Sequence, residues 1–349
     1  MTVASPLLDR PGAVPAEPPD GGVAWHYGDP LLEQRRLASG DGSVDLSHWG
    51  VVRVSGAARL TWLNDLTSQE LRFLPAGGST ETLVLDPQGH VEQHLRVVDD
   101  GSATWLVTPP GAAGASLAAL LAAYLLRMRF WTEVDIEDVS DAYASVWQPV
   151  AAPVSGRPTW VSSAGSPMPG RLVLVPRTKL ETYVAGPLAG TWAFEALRVA
   201  AGMARLGVDT DDRTIPHELG WIGTAVALDK GCYRGQETVA RVHNLGRPPR
   251  RLVLLHLDGS AAALPAPGDA VTAESQPVGR LGTVVQHYEL GPSALALVRR
   301  AVPLALPLEA GGVAAAQEEP TLLSQAPAGG AGREAQRGLR PTSAPRQSP

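Results

Sequence analysis

Cysteine is almost absent from this sequence, which holds a single one, Cys232, among its 349 residues. One thiol excludes an internal disulfide framework. It also excludes a zinc or iron–sulfur centre that is built from several thiolates of this chain alone. Any metal cluster that Cys232 binds therefore needs further ligands from another molecule.

Long apolar runs and a strong charge of either sign are also missing. The longest run, Ala112 to Leu126, is broken by Gly114 and Ser116 and is shorter than the roughly 20 residues that span a bilayer. Lys and Arg number 29 against 35 Asp and Glu, which gives a net charge of -6 and no global sign of nucleic-acid binding. The N-terminus lacks the apolar core of a secretory signal. We expect a cytoplasmic protein with no membrane span.

Glycine and proline are plentiful, at 37 and 31 residues, and much of the excess lies in the two tails. Residues 1–21 hold five prolines, and residues 311–349 contain no aromatic side chain. Segments of this composition bury too little apolar surface to offset the entropy of ordering. The composition predicts a disordered leader over residues 1–21 and a disordered tail over residues 311–349.

Strand and helix patterns alternate irregularly between the two tails. The pattern from Val91 to Val98 predicts a strand, whereas the Ala- and Leu-rich stretch from Ala112 to Met128 favours a helix. The absence of a strict strand–helix–strand repeat indicates an α+β fold. After Gly246, short strand patterns follow one another with turns between them, as is typical of a small barrel. We predict a first domain over residues 22–245 and a C-terminal β-barrel over residues 246–310.

One stretch, Leu228 to Thr238, combines the single thiol with several other functional groups. Lys230 stands two positions before Cys232, and a nearby ammonium favours the thiolate, which is the reactive form of cysteine. Gly231 and Gly235 permit backbone conformations that are closed to residues with a Cβ. Two interpretations stay open: a functional loop, or a buried and inert cysteine of the kind that is common in protein cores. The density of polar groups favours the loop.

The segment Lys230-Gly231-Cys232-Tyr233-Arg234-Gly235-Gln236-Glu237 resembles the K-G-C-Y-x-G-Q-E motif of the YgfZ-type folate-binding proteins. These proteins are relatives of the glycine-cleavage T-protein, an aminomethyltransferase. The run from Ala196 to Gly202 also fits that family, and the resemblance covers about residues 22–305. It implies a T-protein-like folate-binding domain over residues 22–245, a small C-terminal β-barrel, and tetrahydrofolate or a derivative as the cofactor.

The resemblance also implies roles for individual residues. Cys232 and Lys230 are the candidate catalytic pair, and Cys232 is in addition a candidate ligand of an iron–sulfur cluster shared with a partner. The candidate folate-binding residues are Tyr233, Gln236, Glu237, Arg198 and Arg241.

The sequence departs from the family pattern at two places. Gln93 and His94 stand where T-proteins carry a pair of aspartates, one of which serves in aminomethyl transfer. Glu92 is adjacent, but neighbouring side chains of a strand point to opposite faces. Ala200 occupies the position of the glutamate in the R-x-E-A-G pattern. In the T-protein branch that glutamate resembles a pterin contact. These departures argue against a standard aminomethyltransferase.

Three functions follow from these observations. The first, which the resemblance implies, is a folate-dependent accessory protein that assembles or repairs the clusters of iron–sulfur enzymes, including tRNA-modifying ones. Its partners would be such enzymes or cluster carrier proteins. The second is an aminomethyltransferase-like or folate-dependent demethylating enzyme. The third is an RNA-binding module that uses Arg241, Arg247, Arg250 and neighbouring basic residues, and the acidic net charge makes direct nucleic-acid binding the least favoured.

Overall fold

The computed structural model describes residues 3–324. In chain order its strands are β1 (Val14–Pro15), β2 (Ala24–His26), β3 (Ser43–Asp45), β4 (Gly50–Ser55), β5 (Ser79–Leu85), β6 (Val91–Asp99), β7 (Ala103–Thr108), β8 (Asp135–Asp138), β9 (Tyr143–Gln148), β10 (Thr159–Val161), β11 (Arg171–Pro176), β12 (Leu188–Ala189), β13 (Arg250–Leu257), β14 (Ala270–Ala273), β15 (Gln276–His287), β16 (Gly291–Arg299), β17 (Leu308–Ala310) and β18 (Val313–Glu318). The α-helices are α1 (Pro30–Ala38), α2 (Arg59–Leu66), α3 (Leu117–Met128), α4 (Leu180–Tyr183), α5 (Thr191–Ala200), α6 (Gln236–Leu245) and α7 (Thr321–Ser324).

Apart from the separate β1–β2 pair, the strands that precede the barrel form two five-stranded sheets. The first has the order β5-β6-β7-β4-β8 and packs against α2 and α3 through a core that includes Leu63, Leu106 and Leu121. The second has the order β10-β11-β9-β3-β12, and α5 packs on it through Ala193 and Phe194. Helices and strands are mixed without a regular repeat, so the predicted α+β class is confirmed.

The C-terminal strands close into a six-stranded barrel in the order β13-β16-β15-β14-β17-β18. Its interior is filled by small and branched side chains such as Val253, Val271 and Ala296. The predicted small C-terminal β-barrel is therefore confirmed.

The barrel extends beyond residue 310, where the composition predicts a disordered tail. Gly311 and Gly312 both have positive φ, at 54° and 85°, and form a two-residue turn in which Ala310 pairs with Val313. Glycine tolerates this left-handed conformation, which two-residue hairpins require. Since β18 then pairs with β13 and closes the barrel, the prediction of disorder is wrong for residues 311–318. Residues 321–324 form α7, and residues 325–349 of the predicted tail lie outside the described residues.

The N-terminal segment is ordered as well, contrary to the predicted leader. Residues Pro6–Asp9 form a 3₁₀ turn that Ser5 caps, and Leu7 is fully buried against the second sheet. β1 pairs with β2, and the side chain of Asp20 reaches Arg205 and His48. The prediction of disorder is therefore wrong for residues 3–21, because buried apolar and ionic contacts hold this proline-rich segment in place.

Among the helices of residues 3–324, none combines the length and the apolar character that crossing a bilayer would require.

Candidate functional site

The loop that carries the single thiol precedes α6 and leaves Cys232 exposed to solvent. Gly235 ends the loop with a φ of 82°, and a Cβ at this position would lie 2.6 Å from the carbonyl oxygen of Asp86. Gly89, on the facing turn, has a φ of 84° and would clash with Thr238 in the same way. These two glycines allow the start of α6 to pack directly on the turn between β5 and β6, which fixes the end of the thiol loop.

The other end of the loop is anchored by Lys230, which is 7% exposed. Its Nζ donates hydrogen bonds to the backbone carbonyl oxygens of Asn64, Thr67 and Gln69, at 2.6, 2.6 and 2.9 Å. Burial lowers the pKa of Lys230 to about 8. The three carbonyls use all three ammonium protons, so this side chain links the thiol loop to the last turn of α2 and the segment that follows it. The ammonium has these backbone acceptors rather than the thiol as its hydrogen-bond partners.

Two further motif residues support the loop from inside. Tyr233 is buried in the core between the first sheet and the barrel, its ring centroid lies 5.3 Å from Nζ of Lys230, and burial raises its pKa to about 12. Gln236 donates from Nε2 to the carbonyl oxygen of Lys230 at 3.4 Å. These contacts hold the conformation of the loop around the exposed thiol.

The remaining candidate residues face outward or lie elsewhere. Glu237 and Arg241 are exposed on α6, with side-chain exposures of 94% and 60% and a separation of 3.9 Å between their charged groups. Arg198 is buried in α5, where it pairs with Glu195 at 2.6 Å and with Asp209 at 2.8 Å. Its hydrogen-bond partners are Glu195, Met203, Asp209 and Thr283, none of which belongs to the thiol loop. The structure therefore brings together Lys230, Tyr233 and Gln236 around the loop, but not Arg198.

The basic residues after the motif do not form one surface. Arg250 pairs with Asp211 at 2.5 Å and with Glu218 at 2.8 Å, which connects the start of the barrel to the preceding segment. Arg251 is 6% exposed and donates to the carbonyl oxygens of Arg300 and Val302. Two of the arginines thus serve internal contacts, which weakens the RNA-binding interpretation.

A carboxylate and an imidazole, both largely buried, form a pair on the first sheet at the position of the missing aspartates. His94 Nε2 and Glu81 Oε2 are 2.8 Å apart, and the His94 ring stacks at 4.2 Å from Trp221. Although burial opposes ionisation, the interaction with His94 holds the pKa of Glu81 below its ordinary value. Gln93 donates to the carbonyl of Leu117. Sequence reasoning missed Glu81 because it lies on β5 and meets His94 only across the strand pair.

Arg96 lies near this pair and was also missed. Its guanidinium lies over the rings of Trp49 and Trp160, at 4.6 and 5.1 Å from their centroids. Burial lowers the pKa of Arg96. A three-way stack of this kind depends on β6, β10 and the residues before β4, so no local sequence pattern signals it.

Ala200 lines a cavity of about 390 Å³ between α5, the second sheet and the barrel. Trp147, Met168 and Leu197 form apolar walls. Glu318 of β18 stands at the barrel side, where its side chain is 61% exposed and its carboxylate lies 2.8 Å from His256 Nε2. Pockets of 300 to 1,000 Å³ with apolar walls and few polar groups are typical of small-molecule sites. The chemistry of this lining fits a flat heteroaromatic ring that donates a hydrogen bond, although the carboxylate comes from β18 and not from position 200.

Among residues 3–324, no group of three or more His, Cys, Asp or Glu side chains is arranged to hold a metal ion.

Comparison with known proteins identifies relatives of both parts of the chain. Residues 250–325 match the C-terminal β-barrel domain of CAF17. The tRNA-modifying protein YgfZ of Colwellia psychrerythraea is 22% identical over 70% of this chain and 81% of its own length. The iron–sulfur cluster assembly factor IBA57 homologue of Mycosarcoma maydis, a mitochondrial protein, is 26% identical over 60% of this chain.

The coverage of these relatives is uneven. The match spans 55% of the IBA57 homologue, and it spans 60% of a chloroplast protein of Arabidopsis thaliana, named only as a transferase, that is 28% identical over 68% of this chain. The glycine-cleavage aminomethyltransferase T of Bartonella henselae has the same fold, with a TM-score of 0.74 at 18% identity over 91% of this chain and 96% of that one. The predicted resemblance to YgfZ-type proteins and the T-protein-like fold are therefore confirmed.

Proposed function

We propose that this protein supports the assembly or repair of iron–sulfur clusters in partner proteins, among them iron–sulfur enzymes that modify tRNA. The names of the YgfZ and IBA57 relatives support this proposal. The observation that carries it is the exposed thiol of Cys232 on a loop that is fixed at both ends. A partner protein can reach such a thiol without any rearrangement of the loop.

The chemistry of one thiol defines how it would act on a cluster. A cysteine thiolate is a soft ligand for iron, but a cluster needs several ligands. Cys232 would supply one ligand, the partner or carrier would supply the others, and the cluster is cargo. Lys230 would then act by positioning the loop, and Tyr233 and Gln236 by supporting it.

We extend the proposal to tetrahydrofolate or a derivative, held in the cavity that Ala200 lines. Trp147, Met168 and Leu197 would contact the pterin ring. The Glu318 carboxylate, whose Oε2 lies 2.8 Å from His256 Nε2, would accept hydrogen bonds from the nitrogen donors of the ring. When bound, a reduced folate supplies one-carbon or redox chemistry at its pterin nitrogens. The apolar walls would exclude water from the ring.

Complementation of a deletion strain tests the role of the thiol. Cys232→Ser removes the soft ligand, and because the side chain is exposed, the variant should stay folded by circular dichroism. We expect it to fail to restore the activity of a cluster-dependent tRNA-modifying enzyme. Asp229→Asn, at an exposed position of the same loop, is the matched control and should restore it. Full restoration by Cys232→Ser would disprove the role.

Calorimetric titration with tetrahydrofolate tests the cofactor. Glu318→Gln should weaken binding about tenfold, since hydrogen bonds to charged groups contribute roughly 1.5–3 kcal/mol. Glu309→Gln, on the exposed face of the neighbouring strand β17, should leave the affinity unchanged. Equal affinities of the wild type and Glu318→Gln would show that the pterin ring does not bind in this cavity.

A folate-dependent transferase or demethylase is the second candidate, and the Glu81–His94 pair is the observation that favours it. This buried carboxylate and imidazole are the groups that proton transfer requires. The assay is one-carbon transfer to tetrahydrofolate by the purified protein, with Glu81→Gln as the inactive variant. Activity that survives in Glu81→Gln would exclude the pair from catalysis.

A further inference from the structure

Three large apolar side chains project into solvent where α3 ends. Leu126 is 51% exposed, Phe130 is 76% exposed and Trp131 is 98% exposed. We call these three residues the aromatic patch. Soluble proteins rarely expose aromatic side chains of this size together, and such patches mark interaction sites. None of the contacts described above for the thiol loop or the cavity involves the patch.

The backbone conformation at the end of α3 keeps the aromatic patch on the surface. Phe130 has a φ of 44°, in the left-handed region that a bulky residue rarely adopts and that helix ends usually assign to glycine. Hydrogen bonds hold this turn on both sides, from Thr132 N to the Arg129 carbonyl at 2.8 Å and from Trp62 Nε1 to the Met128 carbonyl at 3.3 Å. The turn therefore keeps both aromatic rings outside the core.

Charges of both signs flank the aromatic patch. Arg127 and Arg129 are exposed on one side along the chain, and Glu133 and Asp135 are exposed on the other. None of these four forms an ion pair with another described residue within 4.0 Å. A surface with an apolar centre and unused charges of both signs is complementary to itself.

We propose that the aromatic patch is the interface between two copies of this chain related by a two-fold axis. In such an interface the same surface serves both subunits, so each copy's arginines meet the other's carboxylates. Trp, Phe and Arg are also the residues that are enriched in protein interfaces. A nucleic acid fits less well, because it would bring phosphates against Glu133 and Asp135. The edge strand β8 begins at Asp135, and its other two acidic residues, Glu137 and Asp138, would repel their own copies if two β8 strands paired. This repulsion favours a contact at the patch over edge-to-edge pairing along β8.

Sedimentation velocity over a range of concentrations tests this proposal on the full chain. We expect the wild type to form dimers and Trp131→Asp to be monomeric. Because Trp131 is almost fully exposed, this variant should keep the circular dichroism spectrum of the wild type. Leu290→Asp replaces an apolar side chain that is 42% exposed on the barrel, and this matched control should remain dimeric.

Charge exchange identifies the partner surface. One double variant combines Arg127→Glu with Arg129→Glu, and the other combines Glu133→Arg with Asp135→Arg. Each should be monomeric, because in either variant the charged residues of one copy face residues of the same sign on the other copy. An equimolar mixture of the two should restore the dimer, since both contacts become attractive again. A wild type that stays monomeric at its highest soluble concentration would overturn the proposal, even if RNA or another protein binds the patch. Dimers that persist in all variants would overturn it as well.

Discussion

Replacing Asp20 with Asn should destabilise the protein, although the composition places this residue in a disordered leader. The Asp20 carboxylate accepts hydrogen bonds from Arg205 Nη2 at 2.6 Å and Nη1 at 3.1 Å, and it lies 2.9 Å from His48 Nε2. The side chains of Asp20, Arg205 and His48 are 15%, 4% and 1% exposed. The substitution keeps the shape of the side chain and removes its charge.

The magnitude follows from what the variant leaves behind. Two unit charges about 3 Å apart attract by about 5 kcal/mol at an effective dielectric constant of 20. Removing one partner of a buried pair costs about 3–5 kcal/mol, because the other charge stays buried. Glu195 lies 3.5 Å from Arg205 and compensates in part. We therefore expect the free energy of unfolding to fall by about 3 kcal/mol.

Urea unfolding followed by tryptophan fluorescence measures this loss. Asp9→Asn, at an exposed position of the same segment, is the control and should change the free energy of unfolding by less than about 0.5 kcal/mol. An equally small effect of Asp20→Asn would refute the reasoning that this ion pair stabilises the folded protein.

The effect of Asp20→Asn should also depend on pH. Although burial opposes ionisation, Arg205 and His48 hold the pKa of Asp20 far below its ordinary value. The folded-state pKa thus lies below the unfolded value of about 3.9, so the carboxylate stabilises the protein fully above about pH 5. This contribution is lost as the pH falls through 4 toward the folded-state pKa. The difference between wild type and variant should shrink over that interval.

Local patterns predicted the fold class, the barrel and the thiol loop, because these depend on periodicity, turn residues and a contiguous motif. They failed at both ends of the chain, where composition alone was used. Leu7 and Asp20 are ordered by contacts with residues far along the sequence, which no local pattern reveals. The turn at Gly311 and Gly312 is different, since two glycines between alternating strands are a local hairpin signal that the composition obscured.

The chemistry of the site was predictable only in part, for the same reason. The exposure of Cys232 agrees with the loop interpretation and excludes the buried alternative. The role of Lys230 was not predictable, because its three acceptors lie more than 160 residues away in sequence. The motif spacing suggests that the Lys230 ammonium acts on the thiol. In the folded protein the ammonium instead holds the loop through its three hydrogen bonds to backbone carbonyls.

Two further predictions concern the anchors of the barrel and of the thiol loop. A chain that ends at residue 310 loses β18, so β13 and β17 each lose one of their two neighbouring strands and the barrel opens. Its thermal unfolding midpoint should be much lower than that of a chain that ends at residue 324. An unchanged midpoint on removal of β18 would contradict the closed barrel. Lys230→Met keeps the aliphatic length but leaves three carbonyls without their donor, which should cost about 2 kcal/mol in urea unfolding and speed up amide exchange in the loop. Lys179→Met, at an exposed lysine, should change neither, and an equally silent Lys230→Met would mean that the three hydrogen bonds do not position Cys232.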